Sequence, residues 1–132
     1  MSYLLDTHAL LWALFSPEKL GAHARRVLRS RENAVSVSVV SFWEISLKHA
    51  IGKLEFEGIL PDDLPDATRE MDFAIVPIDP AEAASFHRMP RTLHRDPFDR
   101  LIAWQAISRS LCLVTRDSGL KASQVKGLRT IW

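Results

Sequence analysis

The chain has 132 residues, 47% hydrophobic and 25% charged, with a net charge of +1, so one ordinary domain with a real core is expected. The near-neutral balance excludes a strong overall field, and any attraction for nucleic acid has to come from local patches. A single cysteine excludes an internal disulfide; with no apolar run long enough to span a bilayer and no signal-peptide layout, a reducing cytoplasm and no membrane contact are expected.

Ser2 to Leu5 read as a strand, apolar enough for the middle of a sheet buried on both faces. Asp6 ends it, and Thr7 to Leu14 read as a helix. Asp6 is a good N-cap for that helix, but it also stands where open α/β sheets place their ligands. Ser16-Pro17-Glu18 signals a turn, and Leu20 to Arg31 a second helix with Leu20, Ala24, Val27 and Leu28 inward. Its other face carries Arg25, Arg26, Arg29 and Arg31, either solvated charge or a phosphate contact.

Ala34 to Val37 is a strand by its β-branched content, and Ser38 then caps a helix from Val39 to about Ile51, ended by Gly52. Val40, Trp43, Leu47 and Ile51 are spaced for one apolar face, which makes Trp43 a core residue. Glu44 lies beside this stripe with Lys48 four residues on. The plain reading is a surface Glu–Lys pair; the alternative brings Glu44, in the second turn, toward Asp6. Gly52 to Pro65 is turn-rich, Asp62 to Glu70 a short helix, Phe73 to Val76 a third strand, and Pro80 to Met89 a helix. Asp96-Pro97, with Asp99 three residues on, starts another helix carried by Leu101, Ile102, Gln105 and Ala106. Leu111 to Val114 is a fourth strand and holds Cys112 as a buried thiol. Thr115 to Gly119 is a loop, Leu120 to Ser123 a helical turn, and Arg129 to Trp132 a terminal strand. Alternating strands and helices predict one parallel α/β sheet.

Asp6, Glu44, Asp99 and Asp117 each fall at or just beyond a strand–helix junction, and on a parallel sheet those junctions collect along one edge. Each acid has a local explanation as cap, ion pair or loop residue. Together they repel one another unless protonated or bridged by a cation. Oxygen donors with few histidines favour Mg²⁺ or Mn²⁺, and no Cys–Cys or His–His spacing suggests zinc.

Four blocks then carry a resemblance: Leu4-Leu-Asp6-Thr-His-Ala-Leu-Leu-Trp12, Val37-Ser-Val-Val-Ser-Phe-Trp-Glu44-Ile-Ser46, His94-Arg-Asp96-Pro-Phe-Asp99-Arg-Leu-Ile-Ala103 and Leu113-Val-Thr-Arg-Asp117. In their order and separations they resemble the PIN-domain ribonucleases, more narrowly the VapC toxins of type II toxin–antitoxin modules. The resemblance implies a single PIN-like α/β domain over residues 1–132, with a central parallel sheet of four or five strands flanked by helices. It implies a Mg²⁺- or Mn²⁺-dependent endoribonuclease, with metal held mainly by Asp6 and Asp99 and with Glu44 and Asp117 completing an acidic quartet. It also implies a homodimer, an RNA substrate and a VapB-like antitoxin.

On this reading Glu44 orients or deprotonates the attacking water, and Asp117 positions a water or a second ion. Asp96 is an extra acid beside the site, best explained as the helix cap. Thr7 and Thr115 are candidates to hold a water or a phosphate oxygen. His94, Arg95, Arg100 and Arg116, neighbours of the acids, are candidates for holding the substrate against their repulsion. His8 reads as a packed residue. A haloacid-dehalogenase-type phosphatase wants an acid where His8 stands, and a receiver domain wants an acidic pair and a late lysine. The rival from another class is a catalytically silent PIN-like module that binds a protein partner. Four tryptophans exceed what one small core needs, so Trp12 or Trp104 is a candidate for a contact surface.

Overall fold

A computed structural model describes residues 1–90, 96–120 and 125–132. Five strands, β1 (Ser2–Leu5), β2 (Ala34–Ser38), β3 (Ala74–Val76), β4 (Cys112–Val114) and β5 (Arg129–Ile131), form one parallel sheet in the order β3-β2-β1-β4-β5. The expected α/β architecture is therefore present, with β1 in the centre. Among the described residues six α-helices accompany it: α1 (Thr7–Phe15), α2 (Ala22–Arg29), α3 (Val39–Ala50), α4 (Leu64–Glu70), α5 (Pro80–Ser85) and α6 (Pro97–Ser108). The second helix is shorter than the predicted Leu20–Arg31, because Pro17–Lys19 turns as a 3-10 helix first. The predicted turn at Leu120–Ser123 falls partly outside the described residues; Ser118–Leu120 forms a 3-10 turn.

Side chains alternate across the sheet, as strand geometry requires. Tyr3, Leu5, Val35, Val37, Cys112 and Val114 are buried on one face with Ala9, Leu10, Ala24 and Ile45 of the helices. Leu4 and Leu113 are buried on the other with Ile102, Ala103 and Ala106 of α6. Leu4, Leu5, Val37, Leu113 and Val114 are fully enclosed, and each such side chain contributes about 1.5–3 kcal/mol of transfer free energy. Cys112 is buried as expected, and burial pushes its thiol pKa up. No helix among the described residues is long and apolar enough to cross a membrane.

The apolar stripe of α3 is not the buried face. Val40 is enclosed, but Trp43 is 63% exposed, and Leu47 and Ile51 also face outward. The helix instead buries Val40, Ser41, Glu44 and Ile45. A buried polar pair is tolerable because its groups find partners, described below, whereas periodicity registers only the apolar residues. Trp43 packs edge-on against Phe98 at 5.2 Å. Trp104 is half buried, its indole N–H donating to the Glu82 carbonyl at 3.2 Å and the Ser85 hydroxyl at 3.1 Å.

Two long-range contacts hold the layers in place. Arg109, at the carboxyl end of α6, donates to both carboxylate oxygens of buried Glu82 in α5 and to the Pro77 carbonyl, each at 2.8 Å. The guanidinium lowers the Glu82 pKa against the opposing effect of burial. At the other side of the molecule Gly21, the residue before α2, has ordinary negative φ, so it is not there for backbone freedom. It is there for space: a Cβ at Gly21 would lie 2.5 Å from the Trp132 carbonyl carbon. Gly21→Ala is therefore expected to destabilise the fold by about 1–3 kcal/mol, read as a lower urea midpoint at unchanged slope. An unchanged midpoint would show that the terminal segment yields freely.

Candidate active site

The register aligns the strand ends. Leu5 pairs with Val37 on one side and Val114 on the other, so Asp6, Ser38 and Thr115 emerge abreast at the carboxyl edge. Three helices begin at this edge, and each cap is local chemistry. The Asp6 carboxylate accepts the Ala9 amide at 2.7 Å, Ser38 accepts the Val40 amide at 3.1 Å, and Asp96 accepts the Phe98 and Asp99 amides at 2.8 and 3.3 Å. Helix amino ends favour negative charge, so the edge is suited to anionic groups. Central β1 has its neighbours on opposite sides in the chain's winding, and the cleft opens where the strand order reverses.

Asp6, Asp96, Asp99 and Asp117 line this cleft together with His8, Trp12 and Arg116. Glu44 lies in the adjoining hollow, which shares His8 and Asp96 with the first and also takes in Thr7 and Lys48. Carboxylate oxygens of Glu44, Asp96 and Asp99 all lie within 4.8 Å of one another. Asp96 thus both caps α6, as expected, and stands inside the acidic group rather than merely beside it.

Glu44 is 1% exposed and is no surface residue. Thr7 donates its hydroxyl proton to Glu44 Oε1 at 2.6 Å, and Lys48 pairs with Oε2. A hydroxyl has one proton, so the Ser41 hydroxyl, 3.1 Å from Thr7 Oγ1, is the donor in that second contact. Thr115, also buried, accepts the Asp117 amide at 3.0 Å and hydrogen-bonds the Asp6 carboxyl, tying β4 to β1 at the cleft. Asp117 Oδ1 accepts the Gly119 amide at 2.7 Å. Both threonines thus serve the acids directly.

Arg116 is exposed in the cleft, whereas Arg100 lies over the Phe86 ring at 5.3 Å and does not line it. Its sequence position beside Asp99 gave no sign of this, since neighbours on a helix point about 100° apart. His94 and Arg95 lie outside the described residues. Lys48 and Lys53 reach the hollow from α3 and the loop after it; the i,i+4 spacing of Lys48 from Glu44 was the only signal for either.

The donor set fits a hard divalent cation: clustered carboxylates, all oxygen, with no sulfur or imidazole among the three closest. Asp6, which lines the same cleft, is 5% exposed. Burial raises its carboxyl pKa from 3.8 to about 6, and the Asp99 charge adds to this, while bonds from Thr115 and the Ala9 amide oppose it.

The unfolded chain titrates Asp6 near 3.8 and the folded chain near 6, so between these values the fold holds the extra proton. Stability falls as pH rises through that window, and above it a penalty of about 3 kcal/mol is fully present. Asn keeps a capping oxygen without the charge. In chelator, Asp6→Asn is therefore expected to be more stable than the parent by about 2–3 kcal/mol at neutral pH, with the gain vanishing toward pH 4. Urea denaturation across pH checks this; equal stability at neutral pH would show that Asp6 is buried without cost.

The PIN domain family model matches residues 3–125. The chain is 26% identical to Ribonuclease VapC22 of Mycobacterium tuberculosis (strain ATCC 25618 / H37Rv) over 129 residues, covering 98% of this chain and 97% of that protein. Its fold is similar to that of VapBC2 from Rickettsia felis, solved bound to a DNA fragment from the promoter, with a TM-score of 0.70 at 17% identity over 100% of this chain and 99% of the other. It is also similar to VapBC-5 of Mycobacterium tuberculosis, from the VapBC family of toxin–antitoxin systems, with a TM-score of 0.56 at 19% identity over 98% and 97% of the two chains. With the family match running through all four acidic positions of the quartet, the chain belongs to the PIN-domain family.

Proposed function

We propose that the protein is a metal-dependent endoribonuclease and the toxin half of a toxin–antitoxin pair. The observation that carries this reading is the crowding of five carboxylates, one with its pKa pushed up by burial, at the switch point of a parallel sheet. No capping requirement explains that crowding. Similarity to a ribonuclease along the whole chain supports it.

Asp6 and Asp99 are the residues assigned to hold Mg²⁺ or Mn²⁺, with Glu44, Asp96 and Asp117 around them. When bound, such a cation neutralises charge developing on the phosphate and makes a water a better nucleophile. The chain's own part is positional. Glu44, its carboxylate oriented by the Thr7 hydroxyl and the Lys48 ammonium, is placed to receive a proton from the attacking water. Asp117, its carboxylate held by the Gly119 amide, is assigned to position a water or a second cation. Arg116 offsets the repulsion between these acids and the RNA backbone. A basic side chain from an antitoxin, entering the same cleft, would compete with metal for the carboxylates. Exposed Trp43, Leu47 and Ile51 offer an apolar face for the expected protein contacts, including a homodimer.

RNA cleavage is expected to stop in chelator and return with Mg²⁺ or Mn²⁺. Asp99→Asn is expected to lower kcat at least ~100-fold with the fold intact, and Glu44→Gln to do likewise by loss of its base. Activity surviving exhaustive chelation, with clean controls for contaminating nuclease, would sink the metal-dependent reading.

The antitoxin encoded with this protein is expected to suppress cleavage stoichiometrically, and sedimentation to show a dimer at micromolar concentration. Full activity with the antitoxin demonstrably bound would remove the toxin assignment, leaving a nuclease controlled in another way.

A further inference from the structure

One wall of the acidic cleft is aromatic, and phosphodiester hydrolysis by the acids leaves that wall without a role. Trp12 stands six residues beyond Asp6 on α1, a rise of about 9 Å. Its half-buried indole lines the same cleft as Asp6, Asp99 and Asp117. The ring is set by its neighbours: Trp132 meets it edge-on at 5.5 Å, and His8 is tilted against it at 5.7 Å. The Arg116 guanidinium lies over it, 5.9 Å from the ring centroid, on a side chain that is itself exposed.

An acidic floor repels the phosphates of any RNA laid across it, and contacts that carry no charge add holding energy that this repulsion does not reduce. Stacking of a base on an aromatic ring supplies that and tolerates any base, since every base has a π-face. Trp43 and Trp104 do not line this cleft: Trp104 donates its N–H to the Glu82 carbonyl and the Ser85 hydroxyl, and Trp43 packs edge-on against Phe98. Arg116 is well placed for an exchange. On the ring it is a weakly held cation; released from the ring, the same flexible side chain reaches toward the acids beside which it stands in the sequence.

We propose that Trp12 is a positioning residue whose ring face stacks one unpaired nucleobase flanking the cleaved bond, and that Arg116 passes from the ring to the adjacent phosphate as the base arrives. This rests on the ribonuclease reading, which the test separates from it. The wild-type protein with Mg²⁺ is given a random-sequence pool of single-stranded oligoribonucleotides, and cut sites are mapped by sequencing. No metal-dependent cut in the pool would overturn the ribonuclease reading itself. The best-cut oligonucleotide is then made with one abasic nucleotide at each position flanking the bond.

One abasic position is expected to raise KM about tenfold, with a much smaller effect on kcat, and a non-hydrogen-bonding aromatic base at that position restores it. Trp12→Leu is expected to raise KM for the intact oligonucleotide by the same factor and to be indifferent to the abasic change, while Trp12→Phe keeps most of the affinity. Cleavage with no abasic-sensitive flank, failure of the aromatic analogue to restore KM, or independent losses from Trp12→Leu and the abasic change would each overturn the stacking role. Should Trp12→Leu not fold, the abasic scan and the aromatic analogue on the wild type still decide.

Discussion

Mutual repulsion of carboxylates at one sheet edge is the constraint on which the rest of this molecule depends. Asp6, Asp96, Asp99 and Asp117 share one cleft with Glu44 just behind it, and an assembly of that kind in a poorly solvated place is unfavourable by itself. The fold offsets it with fixed partial charges. Three helices present their amino ends there, two threonine hydroxyls engage Glu44 and Asp6, and the Lys48 ammonium sits on the far oxygen of Glu44. None of these offsets the burial of Asp6, which keeps its pKa raised, with the Asp99 charge adding to it. The remaining imbalance is a standing affinity for positive charge, and an ion, a substrate-bound cation or a partner's basic side chain can each satisfy it.

That compensation explains why the polar side of α3 faces inward. Ser41 and Glu44 are enclosed because Thr7 and Lys48 complete their hydrogen bonds, and the apolar Trp43, Leu47 and Ile51 are turned out as a consequence. A helix can rotate only one way, and here it buries Ser41 and Glu44 with their partners and leaves Trp43 exposed. The exposed face is then available for contact with another chain.

What could be seen in the sequence and what could not divide along the range of the interactions. Strand β1, the Asp6 cap, the Ser38 cap and the Asp96-Pro97 start are set by residues within a few positions of one another, and local chemistry names them. That the sheet is parallel follows from alternation of strands and helices. By contrast, the inward face of α3 depends on Thr7, more than thirty residues away, and the need for glycine at position 21 depends on Trp132 at the other end of the chain. Asp96 was legible as a cap and as an acid beside the site, but its closeness to Glu44 was not, and Arg100 lies over Phe86 rather than in the cleft. Periodicity and spacing carry no information about such partners.

The ion pair between Arg109 and Glu82 has a consequence that its distance from the cleft conceals. Helix α6 carries Asp99 in its first turn and Arg109 at its last, a span of about 15 Å. The guanidinium, held by both Glu82 oxygens and the Pro77 carbonyl, pins one end of this rod to α5, while the acids ride on the other. A rod anchored at its far end behaves as a lever: a tilt of a few degrees at the pin becomes a displacement of about 1 Å at the tip, an error large enough to cost an enzyme on the order of a hundredfold in rate. The alignment of the cleft is therefore maintained from the far end of α6, by a clamp that touches none of the acids in the cleft.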